Sequence, residues 1–227
     1  MSKAKAVCDR VYVVGGSDHS APEDAFVYLV DAGSELVLID CGVGQGMRRI
    51  EDNIRSLGFE PAGVWNIIAT HCHIDHIGGL FAWKERYGSR IIAHELDRAG
   101  IEGENNVLTA ASMYGVDYKL VLVDTLLKGE AEKHTYGDLE FNFLHTPGHT
   151  PGSISVYIDT KDGRVLFGQD IHGPFSSAWG SDLKKWRLSM QKLLALRADV
   201  LCEGHAGIYR GEKVGKYIES YLKRYEV

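Results

Sequence analysis

Ten histidines occur in 227 residues, and three of them fall within six positions of one another. They lie in the run Thr70-His71-Cys72-His73-Ile74-Asp75-His76-Ile77-Gly78-Gly79. Imidazole nitrogens and carboxylate oxygens are the donors that zinc and similar divalent ions accept. Along an extended chain side chains alternate, so His71 and His73 point one way and Cys72 points to the opposite side. A turn into a helix at Asp75 and His76 sends two further donors toward a neighbouring point. Gly78 and Gly79 allow close backbone approach there. A lone histidine at a strand end is ordinarily a polar surface residue. Four donors at this spacing, on the end of an apolar run, point to a metal.

Such a loop needs rigid elements to hold it. Residues 64–70 form a short apolar run, predicted as a buried strand that delivers the chain to His71. Residues 10–16, 26–32 and 35–41 are rich in Val, Leu, Ile and Tyr and predict three more strands, with Gly33-Ser34 turning between the last two. Met47, Ile50, Ile54 and Leu57 have helical spacing over residues 46–57, with Gly58 as the cap. Residues 80–87 predict a helix closed by Gly88, and 90–93 another strand. Residues 97–116 carry no clear period, and short helical pieces around a mobile stretch at 103–106 are expected.

A second β-rich half starts near Tyr118. Residues 119–123, 139–144, 153–158 and 165–167 read as strands, with Asp162-Gly163 as a hairpin turn between the last two. Leu183, Trp186, Met190, Leu193 and Leu194 mark one face of a helix, with Ser181 or Asp182 as its N-cap. Residues 199–202 read as a final strand. Val214, Tyr217, Ile218, Tyr221 and Leu222 mark a C-terminal amphipathic helix. Two β-rich halves, each finished by helices, suit two sheets packed face to face with helices outside. The whole chain, residues 1–227, is expected to form one domain.

Residues 70–79 resemble the HxHxDH signature of the metallo-β-lactamase superfamily. Four more segments resemble that family's motifs and occur in its order. Leu38-Ile39-Asp40-Cys41-Gly42 is similar to a strand-end aspartate motif, and Thr146-Pro147-Gly148-His149-Thr150-Pro151-Gly152-Ser153 to the segment with the next histidine. Phe167-Gly168-Gln169-Asp170 resembles the segment with a bridging aspartate, and Gly204-His205 the terminal histidine. The resemblance is strongest to hydroxyacylglutathione hydrolase-like (glyoxalase-two-like) enzymes.

The resemblance implies an αββα sandwich of two mixed β-sheets with outer helices, with the site along one edge. It implies two divalent metal ions, zinc by default, with iron or manganese as alternatives. One ion would sit on His71, His73 and His149, the other on Asp75, His76 and His205, with Asp170 bridging. Two such ions lower the pKa of a shared water and supply hydroxide near neutral pH. Asp75 would be the catalytic residue beside that water, orienting it or taking its proton. Asp40 would support the metal loop by hydrogen bonds, although a turn-capping aspartate explains it equally well. His172, two residues after Asp170, is the best remaining candidate for substrate contact. His19, His94, His134 and His145 read as surface or hydrogen-bonded histidines. Tyr114, Phe175, Trp179 and Tyr209 fall in segments expected near the pocket mouth.

The implied reaction is hydrolysis of a small thioester, ester or lactone by a metal-bridging hydroxide. Hydroxyacylglutathione hydrolases usually carry a longer helical C-terminal region that grips glutathione, whereas only about twenty residues follow His205 here. A glutathione preference is therefore not expected. Three other readings compete. A mononuclear iron persulfide dioxygenase would use His71, His149 and Asp170. A β-lactamase would normally be exported. A non-catalytic metal-binding protein would need a broken ligand set, and every ligand position here is filled.

Hydrophobic residues make up 44% of the chain and charged residues 25%, the balance of a folded globular protein. A net charge of −6 gives no general attraction to nucleic acid or anionic membrane. A small-molecule substrate is the expected partner, with no nucleic acid and no membrane; a homodimer is left open. The lysines near the start precede no apolar signal-like run, and no long apolar run follows elsewhere, so a cytoplasmic location is expected. The four cysteines read as reduced thiols.

Overall fold

Alternation along the strands decides how the layers stack. The structure, a computed structural model, describes residues 3–226. β1 (Lys5–Cys8), β2 (Val11–Gly15), β3 (Val27–Asp31), β4 (Leu36–Ile39), β5 (Val64–Ile68), β6 (Arg90–His94) and β7 (Thr125–Leu127) pair in chain order into a seven-stranded sheet. The pairings are antiparallel from β1 to β4 and parallel from β4 to β7. β8 (Ala131–Tyr136), β9 (Leu139–His145), β10 (Ile154–Thr160), β11 (Gly163–Gln169), β12 (Val200–Glu203) and β13 (Ile208–Arg210) form a six-stranded sheet in the order β13-β12-β11-β10-β9-β8. Only β11 and β12 run parallel in it.

Tyr28 and Val30 of β3, with Val37 and Ile39 of β4, face the second sheet. Their neighbours Val27, Leu29, Leu36 and Leu38 face outward. Phe141, Phe143, Val156, Val165 and Phe167 of the second sheet complete the layer between. Because both faces of the central strands are covered, these strands read as unbroken apolar runs.

Helices close both outer faces. They are α1 (Met47–Ser56), α2 (Ile74–Ile77), α3 (Leu80–Tyr87), α4 (Arg98–Ile101), α5 (Ala111–Tyr114), α6 (Leu183–Ala195) and α7 (Glu212–Arg224). α1 presses Met47, Ile50 and Ile54 onto the first sheet, and α3 adds Leu80 and Trp83. α6 and α7 cover the second sheet with Trp186, Met190, Leu193, Val214 and Ile218. Each such buried apolar side chain contributes about 1.5–3 kcal/mol. This is the expected αββα sandwich of two mixed sheets. No helix among the described residues is long and apolar enough to cross a membrane.

Three local expectations are corrected. Residues 119–123 are not a strand: Leu120 and Leu122 are exposed, and Val121 N–H donates to Ile101 O at 3.3 Å. The free edge of β6 is taken by β7 just beyond, so this segment has no ladder to join. The β10–β11 turn lies one residue earlier than expected, at Lys161 and Asp162, since Thr160 pairs with Gly163. β1, β7, β8 and β13 were not anticipated, and all four are sheet edges.

Candidate metal centre

Strand ends from both sheets converge at one edge of the sandwich. β5 runs out toward His71, and His73 remains extended before α2 begins at Ile74. α2 carries Asp75 and His76. The chain leaving β9 reaches His149, β11 ends just before Asp170, and β12 just before His205. Ligand atoms of His71, His73, His149 and Asp170 lie within 4.8 Å of one another, and those of Asp75, His76 and His205 do likewise. Asp170 touches both groups. Its Oδ2 is 3.3 Å from His149 Nε2 and 3.8 Å from His71 Nε2. Its Oδ1 is 3.3 Å from His76 Nε2 and 3.4 Å from His205 Nε2. Asp75 Oδ2 stands 3.2 Å from His205 Nε2. All these side chains are buried except His205, which keeps 33% of its surface exposed.

Three carboxylates hold the cluster in position. Asp40 is fully buried and accepts hydrogen bonds from Thr70 N–H at 2.9 Å, Thr70 Oγ1 at 2.8 Å, Gln169 Nε2 at 2.6 Å and His76 Nδ1 at 2.7 Å. It thus fixes the His76 ring with Nε2 turned to the cluster. Asp97 accepts from Cys72 N–H at 2.9 Å, Thr150 Oγ1 at 2.6 Å and Gly152 N–H at 2.6 Å, tying the His71–His73 loop to the His149 loop. Glu203 Oε2 accepts from His205 N–H and Ala206 N–H, each at 2.7 Å, and its Oε1 accepts from His172 Nδ1 at 2.8 Å. Asp97 and Glu203 were not singled out from the sequence, since neither belongs to a local motif. Gly204 has no room for a side chain: a Cβ there would stand 2.4 Å from Asp170 Oδ1.

The donor set fits divalent metal. Nε2 of His71, His73 and His76 and Oδ1 of Asp170 are buried without a hydrogen-bond partner. Leaving such atoms unsatisfied costs about 1–3 kcal/mol each, which a coordinated cation offsets. Burial drives His71 well below the ordinary imidazole range and His73 down to about 3, so both present free lone pairs. Burial opposes charge on His76 and His205 too, but the adjoining carboxylates, Asp170 foremost, lift His76 well above its ordinary value and His205 to about 10. Burial alone would raise Asp170, yet the His76 and His205 charges hold it well below the usual carboxylate range.

A model of the metallo-β-lactamase superfamily matches residues 21–205. The chain belongs to the metallo-β-lactamase superfamily. Within this metallo-hydrolase superfamily it is 29% identical over 150 residues to a probable metallo-hydrolase of Bacillus subtilis, a match covering 64% of this chain and 68% of that one. It is 33% identical over 104 residues to a hydroxyacylglutathione hydrolase of Brucella ovis, covering 46% of this chain but only 32% of that enzyme. Its fold superposes on BJP-1, a subclass B3 metallo-β-lactamase of Bradyrhizobium japonicum, with a TM-score of 0.81 and 26% identity, over 99% of this chain and 92% of that one.

As in any metallo-β-lactamase superfamily chain, the donors need an approach for substrate. A cavity of about 270 Å³ opens onto His73, Asp75, Asp170 and His205, walled by Ala110, Met113, Tyr114, His172, Pro174 and Trp179. Larger hollows of about 770 and 610 Å³ lie elsewhere, but neither is lined by a donor of the cluster. The Trp179 ring meets His73 edge-on at 4.7 Å. Among the described residues, no Lys or Arg lines the 270 Å³ cavity. His172 and Tyr114 both line this cavity. Phe175 packs on Trp186 at 5.4 Å, and Tyr209 stacks on Tyr217 at 4.1 Å; neither lines this cavity. His94 and His145 stack on each other at 4.0 Å, away from the donors. His19 bonds to Lys3 O, and His134 to Glu132. Cys72 turns its thiol to Leu108 O, away from the cluster.

Proposed function

We propose that the chain is a two-metal hydrolase of small, uncharged acyl compounds: a thioester, an ester or a lactone. The observation that carries this reading is Asp170, whose two oxygens face two separate donor groups. His71, His73 and His149 would hold one ion and Asp75, His76 and His205 the other, with Asp170 shared. Two bound divalent ions, zinc by default, supply Lewis acidity toward a carbonyl and a hydroxide nucleophile near neutral pH.

The chain's own residues do the rest. Asp75, buried at the cavity floor, offers a carboxylate oxygen to orient the attacking water or receive its proton. His172, held by Glu203, presents its ring to the substrate from the cavity wall. Trp179 and Met113 line one apolar side of the cavity. Specificity comes from such walls rather than from the ions. A cavity without Lys or Arg lacks partners for the two carboxylates of a glutathione conjugate.

The likeness to a subclass B3 enzyme favours β-lactams as a second substrate class. Against it stands a cavity lining without Lys or Arg, because those drugs carry a carboxylate that such a side chain would hold.

Reconstituted protein is expected to hold close to two ions per chain by elemental analysis. It should cleave simple acyl thioesters, esters or lactones with kcat/KM at least equal to that for a glutathione thioester. One tightly held iron with no second ion would replace this reading with the persulfide dioxygenase. A large advantage for the glutathione thioester would restore a strict hydroxyacylglutathione hydrolase. Rapid turnover of a chromogenic cephalosporin would favour the lactamase.

A further inference from the structure

We propose that the substrate carries an unbranched apolar acyl chain, which lies along the wall formed by Met113 and Trp179; this rests on the acyl-hydrolase reading of the same site. Three observations lead there. The cavity wall beyond the donors is built from Ala110, Met113, Pro174 and Trp179, with Tyr114 as its aromatic edge. The segment that forms this lip also leaves large apolar side chains in water: Val107 is 62% and Met113 69% exposed. Neither residue is needed to fill a core, and apolar side chains gathered at the rim of a cleft mark a surface meant to be covered. Lastly, no Lys or Arg among the described residues lines the cavity to hold a charged tail.

Geometry gives the chain a direction. The reacting carbonyl must lie over the donor cluster. Trp179 touches His73 edge-on at 4.7 Å, so it is the first apolar surface an acyl chain meets on leaving that position. Met113 lies on the same wall and is open to solvent, which makes it the outer end of the track. A branched or charged acyl group would either crowd Trp179 or bury an unpaired charge.

Two measurements on the metal-loaded protein test the proposal. The first is kcat/KM for straight-chain acyl esters of one alcohol, from acetyl to octanoyl. Each added methylene should raise it about fourfold, the equivalent of ~0.8 kcal/mol per buried methylene. Met113→Ser should flatten that slope, while Trp65→Ser, at the opposite end of β5 and 58% exposed, should leave it unchanged. The second is binding of alkyl methyl ketones, which cannot be hydrolysed, followed by quenching of Trp179 fluorescence and checked with Trp179→Phe. Affinity should climb with chain length. If no ester is cleaved but ketone affinity still climbs, the chain site stands and the hydrolase reading falls. Esters cleaved at a rate independent of chain length, or a slope that Met113→Ser does not alter, would overturn the proposal.

Discussion

Asp170 and His172 sit two residues apart in different surroundings. Asp170 faces both donor groups, whereas His172 lines the cavity, bonds to Glu203 and meets the His205 ring edge-on at 5.3 Å. Asp170→Ala should therefore lose metal and cost several kcal/mol of transition-state stabilisation, on the order of a thousandfold in kcat/KM. His172→Ala should keep both ions and lose about tenfold, chiefly through KM. Kinetics paired with elemental analysis decides this, and equal losses in two fully metallated variants would mean the roles are misassigned. The donors could be read from sequence because their spacing is local: alternation aligns His71 with His73, and one turn adds Asp75 and His76. Asp97 and Glu203 gave no such sign. Glu203 abuts the Gly204-His205 motif, but the role of each lies largely in atoms from distant segments, such as Thr150 for Asp97 and His172 for Glu203.

At the scale of elements, the end of β12 acts as a clasp. Glu203 closes that strand, turns the chain through Gly204 and binds the backbone N–H of His205 and Ala206. Glu203→Gln replaces one acceptor oxygen with a donor that must face either those N–H groups or His172. Metal affinity at the His205 group should fall about 10–100-fold, as for other residues that orient ligands from behind. Competition with a chelator measures it, and an unaltered affinity would mean that Glu203 does no more than shape the turn. Elements also divide into those that sequence reveals and those it hides. Central strands such as β3 and β4 were legible because both faces are apolar. The hidden strands were all edges, where short, polar segments guard against unwanted pairing. β8 reads Ala-Glu-Lys-His-Thr-Tyr, and among the described residues its only partner is β9. Residues 119–123 misled for the opposite reason, being strand-like in composition but left without a free edge.

Across the whole molecule, buried charge away from the donors couples stability to pH. Asp24 is buried beneath the turn that follows β4, accepting from Ser20 Oγ at 2.5 Å and Val43 N–H at 2.8 Å. Burial pushes its pKa from 3.8 up to about 6. Between those values the unfolded chain releases this proton and the folded chain keeps it. Asp24 therefore lowers stability as pH rises through that window, by about 3 kcal/mol at most once neutral pH is reached. Asp24→Asn has no proton to lose and keeps an oxygen for Val43 N–H. The difference in Tm between the variant and the wild type should shift in the variant's favour from acid to neutral pH, by several degrees. A constant difference across that range would show that Asp24 ionises alike in both states.

The donors come from both ends of a long stretch of chain, His71 leaving the first sheet and His205 the second. No early fragment can assemble them. Bringing such distant segments together carries a loop-closure cost that only the packing of one sheet on the other can meet. The group of Asp75, His76 and His205 is therefore completed last, and a metal held there would be captured once β12 is in place and lost first when β12 departs. During synthesis, Asp75 and His76 would wait for their third partner until the chain beyond Gly204 has been made, whereas His71 and His73 need only reach His149 and Asp170.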